Sequence, residues 1–394
     1  MIRLTYTLLA CAFLTVSSAK ATESSVLMSI AYTYQRASGN RTVDGSGAFP
    51  DVSVDSLPGY AFSEDRPAWL LGVQNDAGVT WQVAAADSAT PIPTGIPDLS
   101  FPDASPASAP VPIGDAWVYI AANGDLVLWR DGVERDRHAA DAMLDSRIVV
   151  NEQGQAAVYV EPTDRYPHGV MGDTLEAAAL IVFTAENDTL TVTARVQLPA
   201  RDVFEGLIPM WADIDGDGNP DVVTTVSNSA VGARLVVYRA DGTLLAETPP
   251  VGRGNRWRHQ IAFAPFGPDG TMELAEVQTP HLGGIVQFWH YDADLGTLVL
   301  SAAGNGRTSH IYGSPNLDQA LAGDFDGDGI PELVLTDQGR RRVTGLQRRD
   351  GVIREVWSFN LPAAPVTNFA AVNTPDGLML AIGLADGTLR IWGP

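Results

Sequence analysis

Two short segments carry the densest chemistry in this sequence. Asp213-Ile214-Asp215-Gly216-Asp217-Gly218-Asn219-Pro220-Asp221 and Asp324-Phe325-Asp326-Gly327-Asp328-Gly329-Ile330-Pro331-Glu332 each gather their carboxylates within one tight loop. At neutral pH such close neighbours repel one another unless a positive charge sits among them. Side chains at the first, third, fifth and ninth places, with the carbonyl of the seventh, form an all-oxygen cage, and the two glycines let the backbone bend tightly around it. Flexible oxygen ligation favours Ca²⁺ over Mg²⁺ or a transition metal. Two Ca²⁺ sites are therefore expected, one from Asp213, Asp215, Asp217, Asn219 and Asp221, the other from Asp324, Asp326, Asp328, Ile330 and Glu332. An EF-hand would need Glu at the twelfth place, where Thr224 and Leu335 stand.

The elements that hold these loops read as strands. Val222 to Val226 follows the first loop and Leu333 to Leu335 the second, both apolar and β-branched or leucine-rich. Midway between the loops, Pro265-Phe266-Gly267-Pro268-Asp269-Gly270-Thr271-Met272-Glu273 keeps the Asp-Gly and the ninth-place acid but has lost the first two, and is expected to close without metal. Weaker echoes precede Trp69, Ala156 and Leu378, and a shorter unit spans Trp117 to Trp129. Seven units result, each a strand, a loop, a second strand, a third strand, an Asp-Gly turn such as Asp241-Gly242 or Asp350-Gly351, and a fourth strand. Four antiparallel strands repeated at this spacing predict an all-β chain, a seven-bladed β-propeller of four-stranded antiparallel blades. The last unit ends one strand short at Trp392, so Ser24 to Gln35 is expected to supply the missing outer strand and close the ring.

On the Asp-x-Asp-Gly-Asp-Gly-x-Pro-Asp/Glu pattern of residues 213–221 and 324–332, the chain resembles the FG-GAP/VCBS repeat proteins, integrin-α-like seven-bladed β-propellers. The resemblance implies Ca²⁺ in the loop between the first two strands of a blade. It also implies a role in adhesion, glycan binding or assembly, with a few relatives active on polysaccharides.

Composition narrows the partners. The 394 residues hold 25 Lys+Arg against 47 Asp+Glu, a net charge of −22, which repels nucleic acid and anionic lipid alike. Residues 1–21 read as a secretory signal, with Arg3 at its start, an apolar run from Leu4 to Val16 and a small-residue cleavage site at Ala19-Lys20-Ala21. The mature domain is then 22–394, secreted or periplasmic, with no membrane span after cleavage. Cys11 and Lys20, the sole cysteine and sole lysine, both leave with the signal, so no disulfide, thiolate or lysine chemistry remains.

On the face opposite the acidic loops, the connections between units are rich in Arg and His. Arg201, Arg256, Trp257, His259, His281 and His310 are the candidate ligand-binding residues there. Cations at one mouth of so acidic a chain would attract a uronate, sulfate or carboxylate, and Trp257 is placed to stack on a sugar ring. No nucleophile motif or phosphate loop is present, and the spacing of the histidines is not that of metal ligands. The sequence thus favours a non-enzymatic binding or adhesion module for a protein or acidic glycan. The alternative is a polysaccharide lyase or hydrolase using His as base and Arg as charge stabiliser.

Overall fold

The Asp350-Gly351 turn folds as expected from its chemistry. Arg349 pairs with Val352, so Asp350 and Gly351 alone reverse the chain, and both take positive φ (54° and 76°), the requirement of a two-residue type I′ hairpin. The computed structural model describes residues 38–59 and 101–394 except Pro315, together with strands at Val16–Ser17, Ser24–Val26, Ala68–Asn75 and Gly78–Ala85. Among these residues there is no α-helix, only a 3₁₀ turn at Pro268–Gly270.

Consecutive strands meander into four-stranded antiparallel sheets, each taken in sequence order. One sheet runs through Val111–Ile113, Ala116–Ile120, Leu126–Arg130 and Val133–His138. Four-strand meanders starting at Val149–Val150 and at Met210–Ala212 are joined into one sheet through Asp202–Phe204, and further ones start at Arg258–Ala264 and at Ala320–Asp324. The last combines Ala370–Thr374, Gly377–Gly383 and Thr388–Gly393 with Ser53–Pro58, which pairs along the whole of Thr388–Gly393. Neighbouring sheets bury their faces against each other. Met210, Val223 and Leu235 of one sheet form a common core with Phe263, Leu274 and Trp289 of the next, and such burial supplies the main stabilising term.

The first strands of the sheets face a common axis, and the segment 38–47 occupies it. Trp211 donates to the Ser38 carbonyl at 2.7 Å, and Asn40 exchanges two hydrogen bonds of 2.9 Å with the backbone of Phe263. Arg41 donates to the Gln260 carbonyl, and Thr42–Ser46 pairs with Ala320–Asp324 in the one parallel ladder among the described residues. Gly45 then passes so close to Asn373 that a Cβ would fall 2.4 Å from its side chain. Arg41 also pairs with buried Asp318, which Arg147 joins from the opposite side at 3.0 Å.

The edge of the last sheet differs from expectation. Its outer strand is Ser53–Pro58, while Ser24–Val26 pairs with Val16–Ser17 and residues 27–37 lie outside the described residues. The chain passes through the axis before it reaches the rim, which moves the edge strand some twenty residues on. The signal segment, Val16–Ser17 apart, also lies outside the described residues.

Candidate functional site

Both acidic loops connect the first and second strands of their sheets, so their strands fix them from both ends. In the second loop, carboxylate oxygens of Asp324, Asp326, Asp328 and Glu332 all lie within 4.8 Å of one another. Backbone amides organise them: Gly327 donates to Asp324 at 2.8 Å, Asp328 to Asp326 at 3.1 Å, and Phe325 to Glu332 at 2.7 Å. Burial and the Asp326 charge push the Glu332 carboxyl well above the usual range, and burial likewise raises Asp326. Gln347 Nε2 donates to Asp328 and to the Ile330 carbonyl, each at 3.0 Å, and to Glu332. One donor thus already touches three of the oxygens assigned to a cation.

In the first loop Asp213, Asp215 and Asp221 converge in the same way. Asp217 does not. It accepts from the Asn219 backbone at 2.8 Å and side chain at 3.1 Å, and it faces Arg239 Nη1 at 3.2 Å. Arg239 Nη2 also holds Asp215 at 2.7 Å. Three acids of the expected five-residue cage converge here, with Asp217 turned toward Asn219 and Arg239. Asp221, 2% exposed, is pushed up to about 7 by burial, with the Asp215 charge adding to the rise. In the loop at 265–273, Glu273 is bound by Arg348 of the following sheet at 3.0 Å.

The donor sets fit a hard divalent cation: oxygen only and converging, with Asp221, Asp326 and Glu332 raised first by burial. A cavity of about 650 Å³ opens between the two loops, lined by Asp213, Pro220, Asp324 and Pro331 from the loops, Val43 from the axial strand and Trp211 beneath. Asp213 and Asp324, the first acid of each loop, are the metal-ligand candidates that line it. Sequence reasoning missed Arg239, Gln347, Arg348 and Arg349. A signal was available, since an Arg stands just before the Asp-Gly turn in both loop-bearing units.

The opposite face divides in two. Trp257 is 1% exposed, stacks on His259 at 4.8 Å and donates to the Glu205 carbonyl at 3.1 Å. His259 is bound to Ser309 Oγ, and His310 Nε2 to the Val170 carbonyl at 2.6 Å. Burial drives His259 and His310 well below the usual imidazole range. All three are buried, with His310 held against the connection at 164–175 through Val170, so Trp257 has no face for a sugar and neither histidine reaches solvent. Arg201 and Arg256 are exposed, as is Arg253 between them in sequence, and His281 is half-buried with its pKa lowered by burial to about 4.

Residues 213–275 match the family model described as FG-GAP-like repeat. The sheets meander in sequence order, and the matched residues carry an FG-GAP-like repeat. No curated protein matches its sequence. Among solved structures it is similar to BamB from Moraxella catarrhalis, at 10% identity and a TM-score of 0.44 over 90% of this chain and 97% of that one. It is similar to the WD40 domain of Toxoplasma gondii coronin, at 10% identity and 0.41 over 89% of each. The quinohemoprotein alcohol dehydrogenase of Comamonas testosteroni matches at 10% identity and 0.46, over 85% of this chain and 66% of its own. Among the described residues no helix is long and apolar enough to cross a membrane.

Proposed function

We propose that the protein is a secreted or periplasmic, Ca²⁺-stabilised seven-bladed propeller that binds an acidic glycan through the face opposite its metal loops. The hairpin Ala68–Asn75/Gly78–Ala85 supplies the seventh blade beside the six four-stranded sheets, and Ser53–Pro58 closes the ring. Calcium, when bound, neutralises the converging carboxylates and ties the first two strands of its blade together. Asp213, Asp215 and Asp221 hold one ion, and Asp324, Asp326, Asp328 and Glu332 the other.

The observation that carries the binding role is the state of three arginines. Arg201, Arg253 and Arg256 are exposed, and among the described residues none meets a carboxylate, although acids outnumber bases 47 to 25 in this chain. Most other described arginines are paired. Arg253 Nε donates to the Ala230 carbonyl at 3.3 Å, and a guanidinium without a carboxylate partner on an otherwise acidic surface keeps donors for a sulfate or uronate. Heparin and polygalacturonate binding, measured by calorimetry on calcium-loaded protein, tests this. Wild type should bind with an affinity that falls as salt rises, and Arg201→Glu with Arg256→Glu should abolish it. No binding by wild type, or equal binding by the double variant, sinks the proposal.

A further inference from the structure

Three of the connections on that same face bring histidines together that lie far apart in sequence. His168 comes from the connection at 164–175, His281 from the turn at 279–284, and His310 and Tyr312 from the connection at 309–319. Ring centroids of His168 and His281 are 6.4 Å apart and those of His281 and His310 6.3 Å, while Tyr312 lies 5.5 Å from His281 and 6.4 Å from His168. No spacing rule could reveal this cluster, because each member arrives on a separate loop.

The ring nitrogens are not equivalent. His168 Nδ1 lies 2.5 Å from Glu205 Oε1, and the other oxygen of this fully buried carboxylate accepts from the Ser227 hydroxyl. A carboxylate on Nδ1 fixes the proton there and leaves Nε2 as a bare lone pair, the arrangement that orients histidine toward a metal. His281 makes no hydrogen bond through either nitrogen among the described residues, and its Nδ1 is shut off from water. His310 commits Nε2 to the Val170 carbonyl and closes the inner side, while the Tyr312 hydroxyl ties the His168 carbonyl at 2.9 Å.

We propose that His168 and His281 form a binding site for a divalent transition-metal ion of the Zn²⁺ class, oriented by Glu205 and completed by solvent. Imidazole nitrogens select such an ion over Ca²⁺, which takes oxygen. Bonds of about 2.0–2.1 Å in a tetrahedral shell draw two imidazole rings to roughly 5 Å between centroids. The pair therefore closes by about an ångström on binding, and His281, half-buried and without a hydrogen bond to hold it, is free to turn.

Calorimetric titration of the full chain with Zn²⁺, in calcium excess so that the acidic loops are filled, tests the site. One equivalent should bind. His168→Gln and His281→Gln should each weaken it at least tenfold, Glu205→Gln by roughly 10–100-fold, and His138→Gln not at all. Melting curves of the variants in calcium confirm that they are folded. Absence of saturable Zn²⁺ binding, or binding unchanged in His281→Gln, overturns the proposal.

Discussion

Around residues 324–332 four carboxylates converge, and the nearest guanidinium, Arg349, reaches only the outermost of them, Asp328. Around 213–221 three converge, and Arg239 holds two acids of the loop, one of them inside the cluster. The same residue pattern thus yields two different charge balances, because the third strand of each blade decides how much positive charge the protein itself supplies. The loop at 265–273 completes the series. It retains one buried acid, Glu273, and Arg348 neutralises it. Where the chain supplies the cation, the acids dwindle; where it does not, they accumulate and call for an ion.

The largest effect expected from this comparison lies in the loop that has lost its metal ligands. Arg348→Met leaves Glu273 buried without its partner, a change that costs about 3 kcal/mol or more when a buried pair is broken. Calcium should not restore the loss, since Pro265 and Gly267 stand where ligands would be. Glu273→Gln added to Arg348→Met should recover part of it. Urea unfolding with and without calcium measures all three, and a calcium-dependent rescue would contradict the distinction between the loops.

Next in size is the calcium response of the two acidic loops. An ion that binds the folded state alone stabilises by RT ln(1 + [L]/Kd), about 2.7 kcal/mol at a hundredfold excess over Kd. Chelation should therefore lower the melting temperature by several degrees. Asp326→Ala should remove more of that shift than Asp215→Ala, because four acids with little internal neutralisation bind more tightly than three with Arg239 among them. Equal shifts would mean that Arg239 leaves the first loop when the ion arrives.

How much of this was legible in the sequence depends on how far apart the interacting residues lie. The strand–loop–strand beat and the acidic clusters are local: strands follow from β-branched runs, and the ligands of each loop sit within nine residues. The axial segment was not legible. Gly39-Asn40-Arg41-Thr42 reads as an ordinary turn, and partners more than two hundred residues away, among them Asp318, Phe263 and Gln260, give it a place. Ser53–Pro58 is exposed on both sides and lacks the alternation that marks a strand. On the opposite face, the candidate residues do fall in or beside the expected connections. Their burial could not be read, because it depends on partners far away in sequence, Glu205 for Trp257, Ser309 for His259 and Val170 for His310. The His168–His281 pair was hidden because its members arrive on separate loops.

The smallest effect separates the loops by pH, in metal-free protein. Asp221 is raised to about 7 and Glu332 well above its ordinary value, in each case first by burial and then by neighbouring carboxylates. A carboxyl raised on folding holds its proton in the native state over a window where the unfolded chain has released it. Stability is then full below the ordinary carboxyl pKa and declines as pH rises through the raised value. In chelator, the melting temperature should fall between about pH 4 and 8, with Asp221→Asn and Glu332→Gln each flattening part of the decline. Calcium reverses the sign, since binding requires the ionised acids and strengthens as they lose protons. A metal-free melting curve that rises with pH across this window would show that the converging carboxylates are already stabilised in their ionised form, by the charges of Arg239 and Arg349 and the Gln347 hydrogen bonds, and would remove the reason for an ion.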